Sequence, residues 1–182
     1  MRVTLNNQCE GGGMHWPALR SSAGVALMEV LIAGATIAVF MAGLFTLNTF
    51  TVKTARSGKE ILASTLVVQE RLEQLRKGTW YNVTDASYIQ GLLSTPTGSA
   101  SALPGLTERI TINVYPAVTP APTPIQVTRS SSGTATILSS NTALRQQPTV
   151  RADVTATWVG SRTGAMRTRT FSTVIAEGGI VR

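Results

Sequence analysis

Between Arg20 and Lys53 the only ionisable side chain is Glu29, set in a run of apolar and small residues. The chemistry open to such a group is ion pairing. On insertion scales a charged side chain near the centre of a membrane-length helix costs about 2.5–3.5 kcal/mol. An opposite charge is the cheapest compensation in apolar surroundings. Upstream, Gly24-Val25-Ala26-Leu27-Met28-Glu29 places a small residue, an apolar residue and then the acid in order, behind a segment whose last basic residue is Arg20.

Other side chains with chemical potential are sparse. Arg162, Arg167, Arg169 and Arg182 gather near the C-terminus, and such a group can contact phosphates. Few aromatics accompany them, and a solvated strand face is the simpler explanation. Asp85, Glu108, Asp153 and Glu177 are scattered and offer neither a carboxylate pair nor a metal-ligand spacing. No nucleophile motif surrounds the serines or lysines. Gly178-Gly179 is not a phosphate loop, and no cluster of oxygen ligands suits calcium. The expectation is a non-enzymatic protein with no catalytic residue, no metal and no cofactor.

Composition agrees with one modest domain beside a hydrophobic segment. The chain has 182 residues, 16 Lys and Arg against 9 Asp and Glu, and a formal net charge of +7. Only 14% of residues are charged, too few for a highly charged disordered chain. The basic balance fits either attraction to anionic lipid or nucleic acid, or scattered surface charge.

Val30–Val52 is 23 residues long, or about 35 Å of helix, enough to cross a hydrocarbon core of about 30 Å. A secretory signal peptide has a shorter apolar region, about 7–15 residues, with its cleavage site after it. A plain signal anchor accounts for length and hydrophobicity but not for Glu29. Small residues, Ala33, Gly34, Ala35, Ala38, Ala42 and Gly43, leave surfaces where helices can approach.

The helix is expected to continue past the membrane. Lys53–Lys77 lacks proline, and Ile61, Thr65, Val68, Leu72 and Leu75 recur at spacings of 4, 3, 4 and 3. Glu70, Arg71, Glu73, Gln74, Arg76 and Lys77 fall mostly opposite this face or at its edges, and Gly78 is a stop signal. From Trp80 to about Pro104 the Ser, Thr, Gly and Pro content reads as loop. Thr107–Tyr115 alternates as a half-buried strand, with Ile110, Ile112 and Val114 on one face. Ile125–Thr128 and Thr134–Leu138 are weaker strands across Ser130–Gly133. Val150, Ala152, Val154, Ala156 and Trp158 share a face, and Gly160–Gly164 turns the chain into Ala165–Ile175. Phe171 and Ile175 are expected to be buried there. The fold class is therefore α+β: a long N-terminal helix packed on a small antiparallel sheet.

The ordered Gly24, Val25 and Glu29, followed by Val30-Leu31-Ile32-Ala33, resemble the processing site of type IV prepilins. Gln69–Arg76 followed by Trp80-Tyr81 also resembles the I-type minor pseudopilins of type II secretion and the V-type minor pilins, as does Thr173–Ala176 with Gly178-Gly179. Val25 departs from the usual phenylalanine at the first mature position. The resemblance implies cleavage between Gly24 and Val25 and methylation of the new amine by a prepilin peptidase and N-methyltransferase. It makes Glu29 the assembly residue, pairing with the terminal amine of a neighbouring subunit. It divides the chain into a leader at 1–24, a transmembrane and assembly half-helix at 25–52 and a head at 53–182.

The implied location is the bacterial inner membrane, crossed once, with the head in the periplasm or on an extracellular filament. The implied partners are other pilin or pseudopilin subunits, the peptidase, and the inner membrane with its assembly platform. Nucleic acid, through Arg162, Arg167 and Arg169, belongs to an alternative reading as a DNA-binding minor pilin. Met14 offers another start, giving an 11-residue leader. Cys9 and His15 both precede Gly24, so cleavage leaves a chain with neither residue type and without the disulfide many major pilins carry.

Overall fold

In the computed structural model, the described residues run from Ala23 to Gly178. Expectations placed on Cys9, Met14, His15, Arg20 and Arg182 lie outside them. The chain divides into two compact units, Met1–Leu47 and Asn48–Arg182.

Helix α1, Ala23–Lys77, runs through both units. No proline interrupts it, and a side chain added at Gly34, Gly43 or Gly58 would meet nothing within 4 Å. From Ala26 to Arg56 every residue is exposed. After that the helix buries one stripe: Glu60, Ala63, Ser64, Val67, Val68, Arg71, Leu72 and Leu75. These steps of three and four follow the 3.6-residue turn. Gly78 donates its N–H to the Leu75 carbonyl at 3.1 Å, where the helix ends.

The segment expected to be loop after Trp80 instead contains two helices. These are α2, Trp80–Val83, and α3, Ala86–Ser94. Thr79 caps the first by accepting from the Asn82 N–H, and Asp85 caps the second by accepting from Ser87. Ala86, Ile89 and Leu93 then supply a buried stripe at helical spacing, too brief to stand out among the polar residues.

A five-stranded antiparallel sheet completes the head. Its strands are β1 (Thr107–Val114), β2 (Ile125–Arg129), β3 (Ala135–Ser139), β4 (Thr149–Val159) and β5 (Met166–Ala176), in spatial order β3-β2-β1-β4-β5. One face is apolar: Ile110 and Ile112, Ile125 and Val127, and Val150 through Trp158 at every second position are buried. They form one core with Val67, Val68, Leu72 and Leu75 of α1 and Ile89 and Leu93 of α3. The other face carries polar cross-strand pairs, including Thr155–Thr170 at 2.9 Å and Ser172 donating to Asp153 at 2.6 Å. A sheet with one dry and one wet face needs this alternation. Gly133 and Gly164 hold φ of +92° and +68° in the β2–β3 and β4–β5 turns, conformations that disfavour other residues.

Three side chains depart from their expected places. Ile61 is 41% exposed, because the buried stripe is rotated toward Ser64 and Val67. Phe171 is 38% exposed, because β5 is the edge strand and the core does not extend over that part of it. Arg71, expected at the margin of the helix face, is buried at 1% exposure.

Candidate functional site

The first candidate is the apolar part of α1. Val30, Val39, Phe40, Phe45 and Leu47 lie on different sides of the helix, and all are well exposed. A helix apolar all round suits a uniformly apolar environment. The threonines fit that setting, since Thr36 and Thr46 donate their hydroxyls to the carbonyls of Ile32 and Ala42 at 2.8 and 2.9 Å. These bonds leave no unpaired donor on either side chain. By length and composition this helix is able to cross a membrane.

Glu29 is exposed on this segment, and no ion pair among the described residues involves it. Its carboxylate is thus presented outward among Met28, Ile32 and Ala33. Gly24 and Val25 belong to the first turn of α1, and their surroundings lie outside what the structure describes.

Arg162, Arg167 and Arg169, the phosphate contacts of the alternative reading, are each engaged with α1. Arg167 donates to Ser57 Oγ at 3.0 Å, and Arg169 donates to Thr65 Oγ1. The Arg162 guanidinium lies over the Phe50 ring at 5.3 Å, within cation–π range. Strand register explains the grouping. Arg167 and Arg169 pair with Trp158 and Ala156 of β4, so they stand on the face of β5 that looks toward the helix. Their long stems cover the helix flank while the charged ends find hydroxyls.

Glu60 anchors the same hairpin. It is 5% exposed and accepts from the Ser161 N–H at 3.1 Å (Oε1) and 3.4 Å (Oε2). Hydrogen bonding from the Ser161 side chain leads in holding this carboxyl below its ordinary range. Burial opposes it, while the Ser161 backbone N–H and the nearby Arg167 charge assist. The Trp158 indole N–H also approaches this carboxyl but does not reach proper hydrogen-bond geometry, so Nε1 stays without a partner.

A second buried cluster was not foreseen. Arg71 grips Glu108 with two bonds, Nε to Oε1 at 3.1 Å and Nη2 to Oε2 at 3.0 Å. Its remaining donors reach Gln74 Oε1 at 2.9 Å, the Leu92 carbonyl at 2.8 Å and the Thr95 carbonyl at 2.7 Å. All five N–H groups of the guanidinium are therefore used. Arg129 adds a 3.3 Å contact to Glu108 Oε2. The cluster joins α1, the end of α3, β1 and β2. Its signal was present in the periodicity: Arg71 lies three residues after Val68 and four before Leu75, and Glu108 two before Ile110. Sequence reading places Arg71 opposite the buried face or at its edge and finds no pair for Glu108.

Among the described residues no group of three or more His, Cys, Asp or Glu is placed to hold a metal ion. No family model, curated protein or solved structure matches this chain.

Proposed function

We propose that the protein is a structural subunit, a minor pilin or pseudopilin, of a type IV pilus or type II secretion pseudopilus. In this reading a prepilin peptidase cuts between Gly24 and Val25, the new amine is methylated, and α1 enters a filament through its apolar half. The observation that carries the reading is the division of labour along one helix. Its first part exposes apolar residues on every side with a single carboxylate, Glu29, while its second part is built into the core of a head. A catalytic role draws no support from the buried charges described in the head: Arg71 is occupied by Glu108 and two backbone carbonyls, and Glu60 by the Ser161 N–H.

Orientation follows from the prepilin resemblance: leader in the cytoplasm, head outside, in the inner membrane of a bacterium. Charge counting by itself points the other way, because Lys53, Arg56 and Lys59 follow the apolar run while Arg20 alone closely precedes it. Processing on the cytoplasmic side is therefore the discriminating event. Mass spectrometry of the protein from cells with and without an active prepilin peptidase tests it. The expected product begins at a methylated Val25 only when the peptidase is active. An uncut leader in the presence of the active enzyme overturns the reading and returns α1 to a plain signal anchor.

A further inference from the structure

The end of the apolar run and the tip of the β4–β5 hairpin lie side by side, although about a hundred residues separate them in sequence. Three contacts set this placement. Arg162 lies over Phe50, Ser161 is held by Glu60, and Arg167 donates to Ser57. Phe50 belongs to the last turn of the apolar run, and Glu60 follows about 15 Å further along the helix. The hairpin tip is thereby fixed at the level where α1 changes from apolar to charged.

That level is strongly basic. Lys53, Arg56 and Lys59 are exposed on α1, and Arg162 is exposed on the turn, with Arg167 half-buried beside it. Glu60 is the only acid in residues 48–69 and 159–168, and its carboxylate is already committed to Ser161. The tip itself is small and neutral apart from Arg162: Gly160, Ser161, Thr163, Gly164 and Ala165, with Met166 exposed at 63%. No side chain of like charge to a phosphate shields the basic group from that end.

We propose that Lys53, Arg56 and Lys59 of α1 and Arg162 of the hairpin tip form one surface that binds anionic phospholipid headgroups and holds the head against the bilayer. The inference rests on the reading that Val30–Val52 spans a membrane, and not on the identity of any filament. If the apolar run occupies the hydrocarbon, the first cations beyond it meet the phosphate layer, and juxtamembrane basic groups are attracted to anionic leaflets. Arg162 extends that surface sideways from the helix onto the sheet. Its stack on Phe50 keeps it close to the apolar boundary, which favours lipid phosphates over those of a nucleic acid. The helix alone would leave the head free to tilt; a second foothold on the hairpin limits that tilt. Withdrawal into a filament would then have to break these lipid contacts.

The test uses the full chain reconstituted in vesicles, with Cys9→Ser and Thr163→Cys so that an environment-sensitive dye reports from the hairpin tip. Vesicles of phosphatidylcholine alone are compared with vesicles that also contain phosphatidylglycerol. The expected result is a blue-shifted, lipid-quenchable dye in the anionic vesicles. That signal should fall to the phosphatidylcholine level in Lys53→Gln/Lys59→Gln/Arg162→Gln, and fade as salt is raised. Lys53→Gln/Lys59→Gln alone, which leaves every hairpin contact intact, should lose part of it. The same dye signal in both lipids, or a triple variant that keeps the contrast, overturns the proposal. So does binding of duplex DNA by the wild type that the triple variant loses, with no lipid contrast. Resistance of the chain to alkaline extraction, measured on the same vesicles, separates this failure from failure of the membrane-spanning reading.

Discussion

Arg71 of α1 and Glu108 of β1 meet through two parallel hydrogen bonds, at 3.1 and 3.0 Å, with both side chains 1% exposed. Two charges taken this far from water are tolerated only when their remaining hydrogen-bonding capacity is met. Arg71 achieves this through the carbonyls of Leu92 and Thr95, so the pair also ties down the end of α3.

Removing one partner should therefore be severe. Arg71→Ala leaves the Glu108 carboxylate buried with only the 3.3 Å contact to Arg129, and two carbonyls without donors. The expected loss is about 3–5 kcal/mol. Denaturant unfolding of the detergent-solubilised chain measures it, and a loss below about 1 kcal/mol would contradict the structure.

The helix face makes a paired prediction. Leu72 is 8% exposed and Ile61 is 41% exposed. Leu72→Asp places an unpaired charge in the core and should cost several kcal/mol, whereas Ile61→Asp should change the melting temperature little. Equal effects of the two substitutions would mean that the buried stripe is not the one seen here.

Glu60 supplies a pH dependence. Its carboxyl is held below the ordinary range by Ser161 in the folded state. A depressed folded pKa contributes stability that is fully present above the unfolded value and is lost as pH falls through the folded value. Wild type should therefore exceed Glu60→Gln in melting temperature at neutral pH. The margin should shrink on acidification below the ordinary glutamate range. A margin that stays constant down to strongly acidic pH would show that ionisation of Glu60 does not stabilise the hairpin.

Under the proposed filament role, substituting Glu29 should separate assembly from insertion. It is exposed on an apolar helix, so Glu29→Ala should leave the head fold unchanged and ease membrane insertion. Its incorporation into sheared filaments, compared with wild type at equal membrane abundance, should fall sharply. Equal incorporation would remove the role assigned to Glu29 and favour the signal anchor.

Periodicity alone made the main elements legible. The long helix ending before Gly78, the hairpin of Val150–Trp158 with Ala165–Ile175, and the strand from Thr107 all carry strong local patterns, and each appears within a residue or two of its expected bounds. The apolar run with its lone carboxylate was equally plain, because hydropathy and charge along a single helix do not depend on what packs against it. The Gly24–Val25 boundary was readable only as a motif, and the structure adds no more than its place in the first turn of α1.

What only the tertiary structure decided was the fate of charged and edge residues. A solvated Arg71 and a buried one have the same local sequence; Glu108 and two carbonyls, contributed by segments 21 to 37 residues away, determine which occurs. Phe171 alternates correctly for burial, yet the strand order places β5 at the sheet edge and leaves it half open. Arg162 meets Phe50 for a comparable reason. Residue spacing fixes which side of a strand or helix a side chain takes, but the partner on that side is chosen by long-range strand order and helix docking.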